Sequence, residues 1–274
     1  MQWTKNCLRK DLFEGNKELI FSTRILLCIS TQKYSLYVGK IIALAGTIIT
    51  VDLDSIRKLI LFEDTDLLVI NKPSGIPVLA DGWEKDAPSL VGLLEQQFGK
   101  LWVVHRLDKV TSGVMVFALS AAAHRTLSMQ FEHHQAQKIY HAILVGVPGW
   151  DEHVARHPLR VDVGHNHRTV VVSSHGKTSE TAFRVLGRFM GYALIAALPA
   201  TGRTHQIRVH ACALGFPLLG DMLYGAPETQ LINRPALHAL SLEIIHPATQ
   251  VRMTFDAPLP DDFQAALEKI SLLG

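Results

Sequence analysis

Short apolar runs rich in branched residues, each cut off by a polar turn, recur from Leu67 to Phe255. Leu67–Asn71 (LLVIN) is halted by Lys72-Pro73-Ser74-Gly75, where Pro and Gly end a strand in a turn. Leu101–Val104, Val114–Leu119, Lys138–Val145, Thr181–Leu186, Tyr192–Leu198 and Val251–Phe255 read as further strands. Helical spacing is rarer. Leu90, Leu93, Leu94 and Gln97 mark a helix over Leu90–Phe98, and Phe263–Leu272 reads as a closing helix. Ser120 caps a helix through about Phe131, with Ala123, Leu127 and Phe131 stacked at i, i+4 and i+8. Residues 148–178 read as loop, rich in Gly, Pro and His. Helices intervene without a regular βαβ period, which predicts an α+β fold with a mixed, largely antiparallel central sheet.

A chain of 274 residues that is 48% hydrophobic buries a sizeable core, which excludes wholesale disorder. The formal charge of +2 excludes a strongly basic coat for nucleic acid, so a polyanion site must come from local clustering. Cys7, Cys28 and Cys212 lie far apart and build neither a disulfide framework nor a cysteine-rich zinc site. The uncharged stretches are too short to span a membrane, and a cytoplasmic location is expected. Residues 1–58 differ in character, with nine Lys and Arg against five Asp and Glu. They read as a basic N-terminal appendage, with strands at Ile25–Ile29 and Ile41–Val51, or equally as extra strands on the main sheet. Residues 59–274 read as the main domain.

Two polar clusters interrupt the apolar pattern. In His105-Arg106-Leu107-Asp108-Lys109-Val110-Thr111-Ser112-Gly113, a carboxylate lies among cations and hydroxyls between two strands. Cations keep such an Asp ionised, as base, nucleophile or metal ligand; its spacing equally suits plain turn geometry. The second cluster is Thr201-Gly202-Arg203-Thr204-His205-Gln206-Ile207-Arg208-Val209-His210. Its Arg203 and Arg208 offer planar forks for carboxylate or phosphate, and the bland alternative is a solvated helix start capped by Thr204.

HRLDKVTSG resembles the catalytic motif of the RluA-type pseudouridine synthases. Asn71-Lys72-Pro73-Ser74-Gly75, Lys138-Ile139-Tyr140-His141-Ala142 closing at Gly146, and Gly202–His210 resemble further family motifs. So do Pro217–Asp221 and Leu237-His238-Ala239 with His246-Pro247, all in the expected order over residues 60–260. The S4-lacking branch of the family is the nearer likeness. The resemblance implies isomerisation of uridine in structured ribosomal or transfer RNA, with base flipping, no cofactor and no obligate protein partner. It implies Asp108 as the essential nucleophile, acting at ribose C1′, at uracil C6 or through elimination. Tyr140 is implied to stack on the target base, its hydroxyl being a candidate to help remove the C5 proton; Arg203 is implied to pair with the catalytic carboxylate, Ile207 to pack against the base, and Arg106 to handle the flipped nucleotide.

Arg156, Arg160, Arg168, Lys177, Arg184 and Arg188, against Asp162 and Glu180, are expected to contact phosphates or to form a solvated surface. The fourteen histidines contain no H-E-x-x-H, and no metal site is expected. His105, His205, His210 and His238 are read instead as hydrogen-bond partners within the motifs. A catalytically silent RNA-binding protein on the same fold is the alternative. A hydrolase would need a second carboxylate, and Asp221, the one acid in the later motifs, is read as a turn or cap residue.

Overall fold

The computed structural model describes residues 40–44, 47–51, 56–80, 88–163 and 168–273. The N-terminal appendage therefore lies largely outside the described residues, and the strand expected at Ile25–Ile29 wholly so. Strands β1 (Lys40–Leu44) and β2 (Thr47–Val51) pair in a two-stranded sheet of their own.

The main sheet takes its strands from the whole remaining chain. They are β3 (Ile60–Glu63), β4 (Leu67–Lys72), β5 (Trp102–Val103), β6 (Ser112–Ala118), β7 (Gln137–Val145) and β8 (Glu152–Arg156). After β9 (Leu159–Val163) and β10 (Arg168–Val171), which pair separately, come β11 (Glu180–Phe189), β12 (Tyr192–Pro199), β13 (Leu237–Ile245) and β14 (Arg252–Asp256). The order is β3-β4-β6-β13-β7-β12-β11-β8, with β14 on β13 and β5 on β6. All pairings are antiparallel except β13 with β6. Helices α1 (Leu90–Phe98), α2 (Ala121–Glu132), α3 (Gln206–Ala213) and α4 (Asp261–Ser271) complete the α+β architecture.

Local chemistry sets the clearest boundaries. Ser89 Oγ accepts from Gly92 N at 3.2 Å and Ser120 Oγ from Ala123 N at 3.1 Å, so each hydroxyl serves an amide that its helix leaves unpaired. Every residue of β6 is buried, as are Leu67–Ile70 of β4, which explains their unbroken apolar runs: both faces of the sheet are covered there. At the parallel pairing, Gly113 has φ +119° and a Cβ on it would lie 2.1 Å from Ala239 O, so only glycine lets β6 approach β13 this closely.

Residues 148–178, expected as loop, instead carry β8, β9 and β10. These strands are short and half exposed, and β8 exists through its pairing with β11 (Ala155 opposite Thr181) rather than through composition. The α3 segment is likewise no solvated helix start. Gln206 to Ala211 are all buried, and the residue before the helix is His205 in the left-handed conformation, not a capping Thr204.

Candidate active site

Several chain segments converge on one cleft of about 1080 Å³. One wall is the 104–111 loop between β5 and β6, a second is the end of α2 with β7, a third is the 199–207 connection into α3, and residues 77–80 line it as well. Asp108, Arg106, Tyr140, Arg203 and Ile207 all line it.

The Asp108 loop is held from beneath. Lys72, fully buried, donates from Nζ to the carbonyls of Pro73 (3.0 Å), Lys109 (3.2 Å) and Thr111 (2.8 Å). Ser74 Oγ donates to Val110 O at 2.7 Å and Gly75 N to Lys109 O at 2.8 Å. The turn that ends β4 is thus tied to the loop before β6 by four hydrogen bonds from three residues. Burial pulls the Lys72 pKa down to about 7, against the opposing pull of the Asp108 charge.

Asp108 keeps 24% of its side chain exposed, and its Oδ2 lies 3.7 Å from Arg208 Nη1 and 3.9 Å from His205 Nε2. Arg208 is in turn clamped by Asp221, Nε to Oδ2 at 2.7 Å and Nη2 to Oδ1 at 2.8 Å, with both side chains nearly inaccessible. Its guanidinium lies 5.0 Å over the Tyr224 ring. Burial alone would lower the Arg208 pKa, but the Asp221 hydrogen bonds and the charges of Asp221 and Asp108 more than offset it, so the cation is firmly held.

The resemblance gives the carboxylate-pairing role to Arg203, and the structure places that residue elsewhere. Arg203 Nε donates to Thr178 O at 3.2 Å, and the arginine facing Asp108 is Arg208. Gln206 explains the difference. Buried, it accepts from Thr201 Oγ1 and Arg203 N and donates to Glu180 O and Thr181 Oγ1, which fastens the loop before α3 to β11 and turns Arg208 inward. Asp221 is likewise no mere turn residue. Its bidentate pair with Arg208 leaves no free second carboxylate there for a hydrolase.

Tyr140 stands on β7 between Ala197 of β12 and Ala239 of β13, half-buried against the core and lining the cleft. Burial and the Asp108 charge both raise its pKa, so it remains a neutral phenol. Ile207 is buried in the apolar cluster that includes Ala142, Phe183 and Leu237. Arg106 is exposed and, among the described residues, makes no ion pair. His105 stacks on Phe131 (centroids 4.5 Å apart), accepts from Val116 N, and is pushed down to about 3 by burial and Lys138.

The basic segment is less available than its composition suggests. Arg156, Arg184 and Arg188 are paired with Glu180, Glu152 and Asp151, each at 2.7 Å. His210 and His238 are buried hydrogen-bond partners, of Ser179 and Thr181 and of Ser112 and Ala257. Among the described residues, no group of three or more His, Cys, Asp or Glu could hold a metal ion, and no helix is long and apolar enough to cross a membrane.

Comparison with known proteins bears on the chain as a whole. A family model described as RNA pseudouridylate synthase matches residues 66–213. The ribosomal large subunit pseudouridine synthase D of Zymomonas mobilis is 35% identical over 230 residues, covering 78% of this chain and 73% of that protein. The dual-specificity RNA pseudouridine synthase RluA of Escherichia coli is 38% identical over 201 residues, covering 73% and 92%. Among solved structures, human RNA pseudouridylate synthase domain containing 4 matches with a TM-score of 0.65 at 28% identity, covering 79% and 94%.

Proposed function

The chain belongs to the RluA-type RNA pseudouridine synthase family, and we propose that it isomerises uridines of ribosomal or transfer RNA with Asp108 as nucleophile. The reaction leaves ribose C1′ bonded to uracil C5 in place of N1, and no atom is gained or lost. One observation carries the assignment to Asp108: a carboxylate on a pinned loop, open to a cleft and faced by a guanidinium at 3.7 Å. Arg208 faces the carboxylate at 3.7 Å without closing onto it, so the reactive oxygen is positioned yet not fully engaged.

The nucleotide reaches the cleft by leaving its stem, at a cost of a few kcal/mol. Tyr140 offers its ring face to the extruded uracil, a contact worth about 1–3 kcal/mol. Ile207 packs against the base from the α3 side. Arg106, exposed and without an acidic partner among the described residues, fills the vacated stack or holds a phosphate. Arg203, turned from Asp108, is assigned to the RNA backbone. With Lys109 and Lys138 these cations outnumber Asp108 and Glu132 along the cleft, which suits a polyanion.

The test is to incubate the protein with ribosomal and transfer RNA lacking modifications and to map pseudouridine by its resistance to alkaline release after carbodiimide treatment. Conversion at a few defined stem-loop positions is expected. Binding without conversion would replace this reading with that of a silent RNA-binding protein.

A further inference from the structure

Isomerisation must move one proton that Asp108, as nucleophile, does not account for. When C5 of the detached uracil bonds to C1′, C5 still carries its hydrogen and the ring is left with an N1=C6 double bond. That hydrogen must leave C5, its bonding pair must restore C5=C6, the N1=C6 pair must return to N1, and N1 must take up a proton. The balance is one proton moved from C5 to N1.

His205 is placed for this transfer. It lines the cleft, its Nε2 is 3.9 Å from Asp108 Oδ2, and its backbone sits at φ 55°, ψ 17°, a left-handed conformation held just ahead of α3. Its other ring nitrogen is anchored: Nδ1 lies 2.9 Å from Tyr224 Oη. That phenol donates its single proton to Thr169 O at 3.1 Å and accepts from Thr169 N at 3.0 Å. With its proton directed to Thr169 O, the phenol accepts from His205 as well, an arrangement in which the imidazole proton sits on Nδ1 and Nε2 keeps a lone pair on the Asp108 side of the cleft.

We infer that His205 Nε2 is the base that takes the C5 proton and delivers it to N1. The inference rests on the reading of Asp108 as nucleophile. Neighbouring groups are unsuited: Arg208 is fixed as a cation, Lys72 Nζ is engaged by three carbonyls, and the Tyr140 phenol stays protonated. The charged groups facing His205 also time the step. Burial holds the ring below the ordinary imidazole value and Arg208 reinforces this, while Asp108 and Asp221 oppose it. While Asp108 is bonded to the nucleotide its charge is absent. Release of the carboxylate as the C–C bond forms restores a negative charge beside Nε2 just when the C5 proton must leave.

The experiment separates this step from those before it. RNA carrying 5-fluorouridine has no C5 proton to lose, so its conversion reports bond breaking and C–C formation alone; RNA tritiated at C5 reports proton release. His205→Asn is chosen because asparagine tolerates the left-handed conformation. Expected is a fall in tritium release of about 10²–10⁴-fold, conversion of the fluorinated RNA within about threefold of wild type, and a new isotope effect for C5-deuterated RNA. In the unaltered protein, tritium release should show an acid limb, below the imidazole range, that the fluorinated substrate lacks. Equal slowing of both substrates, or no such limb in release, would reduce His205 to a positioning residue. Asp108→Asn abolishes both readouts if the parent reading holds; if it abolishes neither, the nucleophile assignment fails independently of His205.

Discussion

Replacing Asp221 by Asn perturbs the carboxylate two contacts away, and the structure sets the size of the effect. Asp221 and Arg208 are 1% and 5% exposed in their side chains and share two charge-assisted hydrogen bonds at 2.7 and 2.8 Å. Removing one charge of such a pair strands the other, at about 3–5 kcal/mol. For a domain of this size that lowers Tm by roughly 6–20 °C, at about 2–4 °C per kcal/mol. Arg208, freed from its clamp, has Asp108 as its nearest remaining acid and closes the 3.7 Å gap by about 1 Å. A displacement of that size at a reacting group costs about 10²-fold in rate. Calorimetry gives the first number, and tritium release from C5-labelled RNA, well below the lowered Tm, gives the second. Combining Arg208→Met with Asp221→Leu removes both charges and should recover most of the stability without recovering activity. A single Asp221→Asn variant that melts within about 2 °C of wild type and reacts at its full rate would refute the clamp.

Lys72→Met takes the lysine donor from the carbonyls of Pro73, Lys109 and Thr111, of which Lys109 O keeps Gly75 N, and should cost about 3 kcal/mol in urea unfolding, with loss of activity in the protein that remains folded; wild-type stability would show the loop holds itself. Gly113→Ala forces a Cβ to within 2.1 Å of a backbone oxygen at φ +119° and should cost at least about 3 kcal/mol or prevent soluble expression, as a thermal melt would show. His210 and His238 are pushed down to about 4 by burial, so the folded state resists protons that the unfolded chain takes up near pH 6.5. Their contribution is complete above pH 6.5 and lost as pH falls toward 4, about 3 kcal/mol each, and His238→Gln should flatten that slope in urea titrations at stepped pH.

Features written in local chemistry were legible in the sequence. Helix α1 has the expected limits because its apolar spacing is a signal within one short window, and the Ser120 cap of α2 is equally local. The order of the motifs was legible too, and residues drawn from three of them, Asp108, Tyr140 and Ile207, line one cleft. Features that depend on tertiary pairing were not. Strands β8 to β10 are short, carry His and Arg, and lie among Pro and Gly that read as loop, so only their partners make them strands. Choosing between Arg203 and Arg208 required the rotation of α3, which Gln206 sets through contacts with β11. Asp221 lies 13 residues beyond its arginine, too far for spacing to reveal the pair. Lys72 stood in a recognised turn, but its grip on carbonyls 37 and 39 residues away exists only in the fold.

The most direct measurement is the turnover of Asp108→Asn on saturating RNA, with RNA affinity measured in parallel. The asparagine keeps the shape and loses the nucleophilic charge, so pseudouridine formation should fall by about 10⁴-fold or more while RNA binding stays within a fewfold of wild type. Turnover within about tenfold of wild type at unchanged affinity would mean that another group opens the glycosidic bond.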